Sequence, residues 1–279
     1  MLTDCHLHLS LWPNPEENYL ALRRAGLDAV AVSCSAEDSI KNARLGLKLG
    51  CRIMAGYHPW FARSAAFDRE LFERLCTLPC LAGIGECGLD SDADLDLNSQ
   101  QLLLKAQLDF AREHELPVNL HIRKCHGTLL KVLRRYGGRL RGCVHNFTFS
   151  RELASEYLKL GLKLCCGHHL LFRHRRLCES VRLAGPQRLL LETDAGGEHC
   201  GPYDCALLKA EFSALAEILG MPEESLLPEL EHSTEIFIPR GGRTAGTAAA
   251  TAAVADTAAG TAGAAFAGAC CRSDQSGNS

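Results

Sequence analysis

The chain has 279 residues, 47% hydrophobic and 23% charged, with a formal net charge of −3. That balance excludes a collagenous, globally disordered or strongly basic protein, and no uninterrupted apolar run reaches the ~18 residues of a membrane helix. The length suits two average domains or one α/β barrel of about 250 residues.

From the N-terminus, short apolar or β-branched runs alternate with longer stretches of helical period. The first predicted strand, Leu2–Leu9, precedes a helix over Glu16–Ala25, and Ala29–Ser33 precedes a helix over Ala36–Leu49. Strands at Arg52–Tyr57 and Leu81–Gly85 lead into helices at Phe67–Cys76 and Ser99–Glu115. In the latter, Leu103, Leu104, Leu108 and Ala111 recur at the spacing of one helix face. Strands at Pro117–Ile122, Cys143–Phe147, Leu162–Gly167 and Arg188–Glu192 alternate with helices at Gly127–Tyr136, Arg151–Leu160, Arg173–Leu183 and Cys205–Leu219. Eight βα units in a row predict an α/β fold, a single-domain (β/α)8 TIM barrel over residues 1–240, since right-handed crossovers return each strand beside its predecessor. A doubly wound open sheet is the alternative. A helix over Pro222–Phe237 would pack on the outside of the barrel.

After Pro239 the alternation stops. Gly241–Ser279 holds 14 Ala, 7 Gly and 5 Thr in 39 positions. With so little large apolar surface, this stretch is expected to be a disordered tail. The fifteen cysteines are odd in number and sit mostly in apolar runs. The chain opens Met-Leu-Thr-Asp-Cys-His without a basic segment and apolar signal core, so free thiols in a reducing cytoplasm are expected. Cys76 and Cys80 have no second pair at zinc-finger spacing.

In a parallel barrel the active site lies where the strands end, so polar residues closing each run are the candidates. His6 and His8, two apart on the first strand, point to one side. His58, Glu86, His121, His145 and Asp194 close the third, fourth, fifth, sixth and eighth runs. Each alone is an ordinary core or capping residue. Together, imidazoles and carboxylates at one mouth are a donor set for divalent cations.

The blocks Asp4-Cys-His-Leu-His8, Gly56-Tyr-His-Pro59, Gly83-Ile-Gly-Glu-Cys-Gly-Leu-Asp90, Leu116-Pro-Val-Asn-Leu-His-Ile-Arg123, Val144-His-Asn-Phe147 and Leu190-Leu-Glu-Thr-Asp194 resemble, in order, those of the TatD family of metal-dependent hydrolases. With a closing helix near Glu231–Phe237, the resemblance reaches about residue 238. It implies two divalent ions, Mg2+, Mn2+ or Zn2+. His6, His8 and Asp194 match ligands of the first ion, Glu86 the bridging carboxylate, and His121 and His145 ligands of the second. Asp194 would also take a proton from the attacking water. His58 and Arg123 match residues that would hold substrate, although a turn before Pro59 and a rim salt bridge are structural alternatives for them. The implied reaction is hydrolysis of phosphodiester bonds in DNA, as single strands or ends, with exonuclease character, by a monomer without membrane attachment.

Charge is unevenly spread. Between Leu116 and Cys178 thirteen Lys or Arg face only Glu152 and Glu156, a sector that would attract a nucleic-acid backbone, although Arg134, Arg135, Arg175 and Arg176 fall on predicted outer helices, where a solvated face is the ordinary explanation. Only Phe147 and Phe149 are expected near the mouth as aromatics, and the Asp90–Asp96 segment is expected as an acidic loop that would repel DNA if it sits at the rim. His126, His168 and His169 are extra histidines near strand ends. The glycine expected after the sixth strand is absent, the Thr193-Asp-Ala-Gly-Gly197 block lacks the family's proline, and the arginine-containing segment that usually follows has no clear match. Two other functions remain open at this level: ester or amide hydrolysis, such as removal of a D-amino acid from tRNA, and a metal-binding protein without catalysis.

Overall fold

In the computed structural model, eight parallel strands pair in sequence order, from β1 to β8. The structure describes residues 1–62, 66–92, 96–196 and 201–239. The expected tail at 241–279 lies outside them, as do Gly197 and Asp94. The strands are β1 (Thr3–Leu7), β2 (Asp28–Val32), β3 (Arg52–Ala55), β4 (Leu81–Asp90), β5 (Val118–Arg123), β6 (Gly142–Val144), β7 (Lys163–Cys166) and β8 (Leu189–Leu191). A parallel bridge from Leu7 to Ala195 joins β1 to the segment after β8, so the sheet curls into a (β/α)8 barrel rather than the open doubly wound alternative.

Between the strands run α1 (Pro15–Arg24), α2 (Ala36–Leu49), α3 (Arg69–Leu75), α4 (Leu97–Glu113), α5 (His126–Arg134), α6 (Arg151–Lys159), α7 (Arg175–Ala184) and α8 (Cys205–Leu219), with α9 (Glu223–Phe237) following. Their limits follow from local chemistry. Ser35 caps α2 by accepting from the Asp38 N–H, and Gly50 ends it at φ 71°. Asp96 and Asp204 cap α4 and α8 in the same manner. No helix among the described residues is long and apolar enough to cross a membrane.

Two apolar regions build the core. One lies between the helices and the outside of the barrel, where Leu22, Phe72, Leu108, Phe110, Tyr157 and Leu215 pack. The other takes Cys5, Val30, Val32, Met54, Cys143, Cys165 and Leu190 from six strands, with Phe237 and Ile238 after α9. Each fully buried Leu, Val or Phe stabilises by about 1.5–3 kcal/mol. The end of α9 is fastened at the N-terminal ends of the strands, where Arg52 donates to the Ile238 carbonyl at 2.8 Å and Lys163 to Ser233 Oγ at 2.8 Å. The opposite end is left to polar side chains.

β4 is longer than its apolar run suggests, extending to Asp90. A side chain at Gly88 would place Cβ 1.9 Å from the His121 carbonyl oxygen, so glycine lets β4 run against β5. The register shifts between Ile84 and Cys87, and the Glu86 N–H reaches the Ser33 carbonyl at 2.7 Å. Glu86 thus stands mid-strand at an irregularity, not at a strand end. Asp90, expected in an acidic loop, is a buried strand residue accepting from Trp60 Nε1 at 2.9 Å. Asp92 pairs with Arg123 and Lys124, and Asp96 is the α4 cap, so these three acids are engaged locally.

Candidate metal centre

Four donor atoms converge at the mouth of the barrel. His6 Nε2 and His8 Nε2 are 3.3 Å apart, and Glu86 Oε2 lies 3.5 and 3.6 Å from them. Asp194 Oδ1 lies 3.5 Å from His6 Nε2 and 3.3 Å from His8 Nε2. Ligands about 2.0–2.2 Å from a tetrahedral cation stand about 3.3–3.6 Å from one another, the spacing of these five donor pairs. The other Glu86 oxygen, Oε1, faces the neighbouring strands at 2.9 Å from both His121 Nδ1 and His145 Nε2, which are 3.2 Å apart. That spacing suits adjacent ligands of a five- or six-coordinate ion at about 2.1 Å. Among the described residues His6, His8 and Glu86 form one group of mutually close donors, Glu86, His121 and His58 a second, and His6, His145 and Glu192 a third.

The strands explain the convergence. The register of β1 on β2 shifts between Asp4 and Leu7, so two residues of β1 oppose Val30 and His6 turns inward above the apolar interior. The remote ring nitrogens are held: His6 Nδ1 lies 3.2 Å from Asn119 Oδ1 and His8 Nδ1 3.2 Å from the Val32 carbonyl. Such partners fix ring orientation and leave Nε2 for a ligand role. Asp194 has φ 54°, and its N–H donates to the His6 carbonyl at 3.0 Å. Gly196 follows because a Cβ there would meet the His8 carbonyl oxygen at 2.5 Å.

Electrostatics favour charged carboxylates. Burial alone would raise Glu86, but the imidazoles of His145 and His121 hold its carboxyl well below the usual carboxylate range. Asp194 is likewise held down against its burial by His8 and His6. Burial would lower His145, yet Glu86 and Glu192 draw it well above its ordinary value. His58 is pushed down to about 3 by burial and by His121 beside it. Its Nδ1 accepts from the Trp60 N–H at 3.3 Å, so this neutral ring carries its proton on Nε2, 3.5 Å from Glu86 Oε1.

Of the candidates, His6, His8, Glu86, His121, His145 and Asp194 come together, with His58 beside them. Arg123 stands at the rim, partly exposed, with Nε donating to Asp92 Oδ2 at 2.7 Å. Phe147 is buried in the core rather than exposed at the mouth, because it packs edge-on against Phe149 and Tyr157. His126 Nδ1 is 2.8 Å from Tyr157 Oη, away from the cluster of donors. Sequence reading passed over three neighbours. Glu192, buried, lies 3.5 Å from His145 Nδ1 and accepts from the Asn146 N–H. Cys34 Sγ lies 3.8 Å from Glu86 Oε2. Asp4 accepts from Thr193 N–H and Tyr203 Oη, tying the chain before Asp194 to β1. A carboxylate two residues before a ligand was the one available signal for Glu192.

Residues 3–237 match the family described as TatD related DNase. The "3'-5' ssDNA/RNA exonuclease TatD" of Rahnella sp. is 34% identical over 185 residues, covering 62% of this chain and 69% of that protein. Its counterpart from Pantoea sp. is 36% identical over 153 residues, and the match spans 52% of this chain and 58% of the relative. Among solved structures, YJJV, a TatD homologue from Escherichia coli K12, superposes with a TM-score of 0.74 at 24% identity, over 85% of this chain and 97% of that one. A TatD family hydrolase from Entamoeba histolytica gives 0.74 at 16% identity, over 85% and 98%. Both share the barrel fold.

Proposed function

The chain belongs to the family of TatD related DNases, and from that premise we propose that it is a divalent-metal-dependent hydrolase cleaving phosphodiester bonds of DNA from the 3′ ends of single strands. The observation that carries this reading is the division of Glu86 between two donor sets, Oε2 towards His6 and His8 and Oε1 towards His121 and His145. His6, His8, Glu86 and Asp194 would hold one cation and Glu86, His121 and His145 a second. Mg2+, Mn2+ and Zn2+ are the candidates, the imidazoles favouring a transition metal. Bound there, such ions supply Lewis acidity to the scissile phosphate and acidify water near neutral pH.

The protein's own groups complete the site. Asp194 turns Oδ1 to the histidines, and its second oxygen, on a side chain 25% exposed, accepts the proton of the attacking water. Held ionised by His8 and His6, the carboxylate is ready for that proton at neutral pH. Arg123 presents its guanidinium at the rim, where its fork suits a phosphate. His58, neutral, offers the one proton on its Nε2 rather than charge, to Glu86 Oε1 or to a substrate oxygen that displaces that contact. The similarity to relatives named as 3'-5' ssDNA/RNA exonucleases supports the nuclease reading over ester or amide hydrolysis. The twelve described cysteines, all free, support a reducing cytoplasm, and we take the working unit to be a monomer whose barrel ends near residue 240.

The test is release of mononucleotides from single-stranded DNA labelled at its 5′ end, with each metal added in turn. The protein is expected to shorten the strand from its 3′ end, and Glu86→Ala to lose that activity while keeping its circular dichroism. Equal activity in the two proteins, or turnover of misacylated tRNA without attack on DNA, would overturn the reading.

A further inference from the structure

Between Glu156 and Glu179 there is no acidic residue, and the turn after β7 reads His168-His-Leu-Leu-Phe-Arg-His-Arg-Arg176. It forms a short 3-10 turn at His168–Phe172 and then enters α7. Leu171 to Arg176 are all exposed, Phe172 at 62% and the Arg175 side chain at 90%. An aromatic ring that exposed forfeits the burial that phenylalanine otherwise gains. It is not isolated: Phe172 lies 6.1 Å from the ring of His169 and stacks at 6.0 Å with His174. Only part of the charge is neutralised, since Arg173 pairs with Glu217 at 2.5 Å and Arg175 with Glu179 at 2.8 Å on exposed surface where such pairs are weak.

Position gives the patch meaning. As a βα turn it leaves β7 on the face of the barrel that carries the metal centre. Its strand lies between β6, which leads to His145, and β8, which leads to Asp194. At its base, the Gly167 backbone approaches the Glu192 carbonyl so closely that a Cβ would sit 2.6 Å away. Aromatic rings interleaved with cations beside a phosphodiester site fit one ligand chemistry, an unpaired nucleic-acid strand, whose bases stack on rings and whose phosphates neutralise guanidinium groups.

We propose that the Leu171–Arg176 turn is the surface that grips the single strand leading to the metal centre, Phe172 stacking on a base while Arg175 and Arg176 meet the backbone. This rests on the nuclease reading for the strand's purpose, but binding can be measured without cleavage.

The experiment titrates the full-length, metal-loaded protein into a fluorescent phosphorothioate oligothymidylate of about twelve nucleotides, within the site sizes of such surfaces. Phe172→Ala should weaken binding about tenfold, as expected for loss of one stacked base. Arg175→Ala with Arg176→Ala should weaken it and flatten its dependence on salt. In turnover assays the preference for the oligonucleotide over a thymidine dinucleotide should shrink in Phe172→Ala by a similar factor. No binding by the wild type, or wild-type affinity and preference in Phe172→Ala, would overturn the proposal. Binding that depends on Phe172 in a protein cleaving neither substrate would sustain it while defeating the nuclease reading.

Discussion

Glu86 Oε1 lies 2.9 Å from His145 Nε2, both side chains almost wholly buried. In that contact the carboxylate keeps its charge and the imidazole keeps its proton. A cation bound there would take the place of that proton.

Metal uptake should therefore release protons. His145 and His121 are both raised above their ordinary values. They are charged below those raised values and must become neutral to act as ligands, so affinity should fall as pH falls. Calorimetric titration of Mn2+ in two buffers of different ionisation enthalpy should reveal net proton release, with weaker binding at pH near 5.5 than near 8. Affinity independent of pH would contradict this.

Gly88→Ala should be strongly destabilising. The added Cβ would fall 1.9 Å from the His121 carbonyl oxygen and 2.9 Å from its N, both backbone atoms that cannot swing away. Parting β4 from β5 should cost about 3 kcal/mol or more, read as a lower urea midpoint, and should weaken metal binding through the shifted His121. A variant with the wild-type midpoint would show that the strands separate freely.

Glu211→Gln should stabilise the protein at neutral pH. Glu211 is buried on α8 with neither carboxylate oxygen hydrogen-bonded, and burial, aided by Asp4 and Glu192, pushes it up to about 10. The folded chain keeps a proton that the unfolded chain releases above its ordinary value of 4.5. Stability from this group is undiminished below that value and falls as pH rises towards the folded one, a cost of about 3 kcal/mol at pH 7. Glutamine removes the titration, so the variant's advantage in urea unfolding should grow from pH 5 to pH 9, on the order of 1.4 kcal/mol for each pH step. Parallel curves for the two proteins would refute it.

A chain ending at Arg240 should fold and bind metal as the full chain does, since the apolar residues at the base of the barrel close with Phe237 and Ile238. Loss of cooperative unfolding in the shortened chain would place residues 241–279 within the fold.

The barrel and the side chains that gather at its mouth were legible in the sequence because both rest on local pattern. Eight apolar runs mark eight strands, and His6 with His8 share a face through the period of a strand. Glu86 joins that group from mid-strand, since the glycines around it conceal in the sequence how far β4 runs. What escaped reading depended on contacts between distant segments. The neutrality of His58 comes from burial and from His121, Asp90 is a strand residue because Trp60 and Gln100 hold it, and Phe172 stands exposed while Phe147 is core. None of these is written in spacing.

The most direct measurement is anomalous diffraction from crystals soaked with Mn2+ and thymidine monophosphate. The account predicts one peak about 2.0–2.2 Å from His6 Nε2, His8 Nε2, Glu86 Oε2 and Asp194, a second against Glu86 Oε1, His121 and His145, and the phosphate between them and Arg123. Peaks elsewhere, or none with these side chains in place, would contradict it.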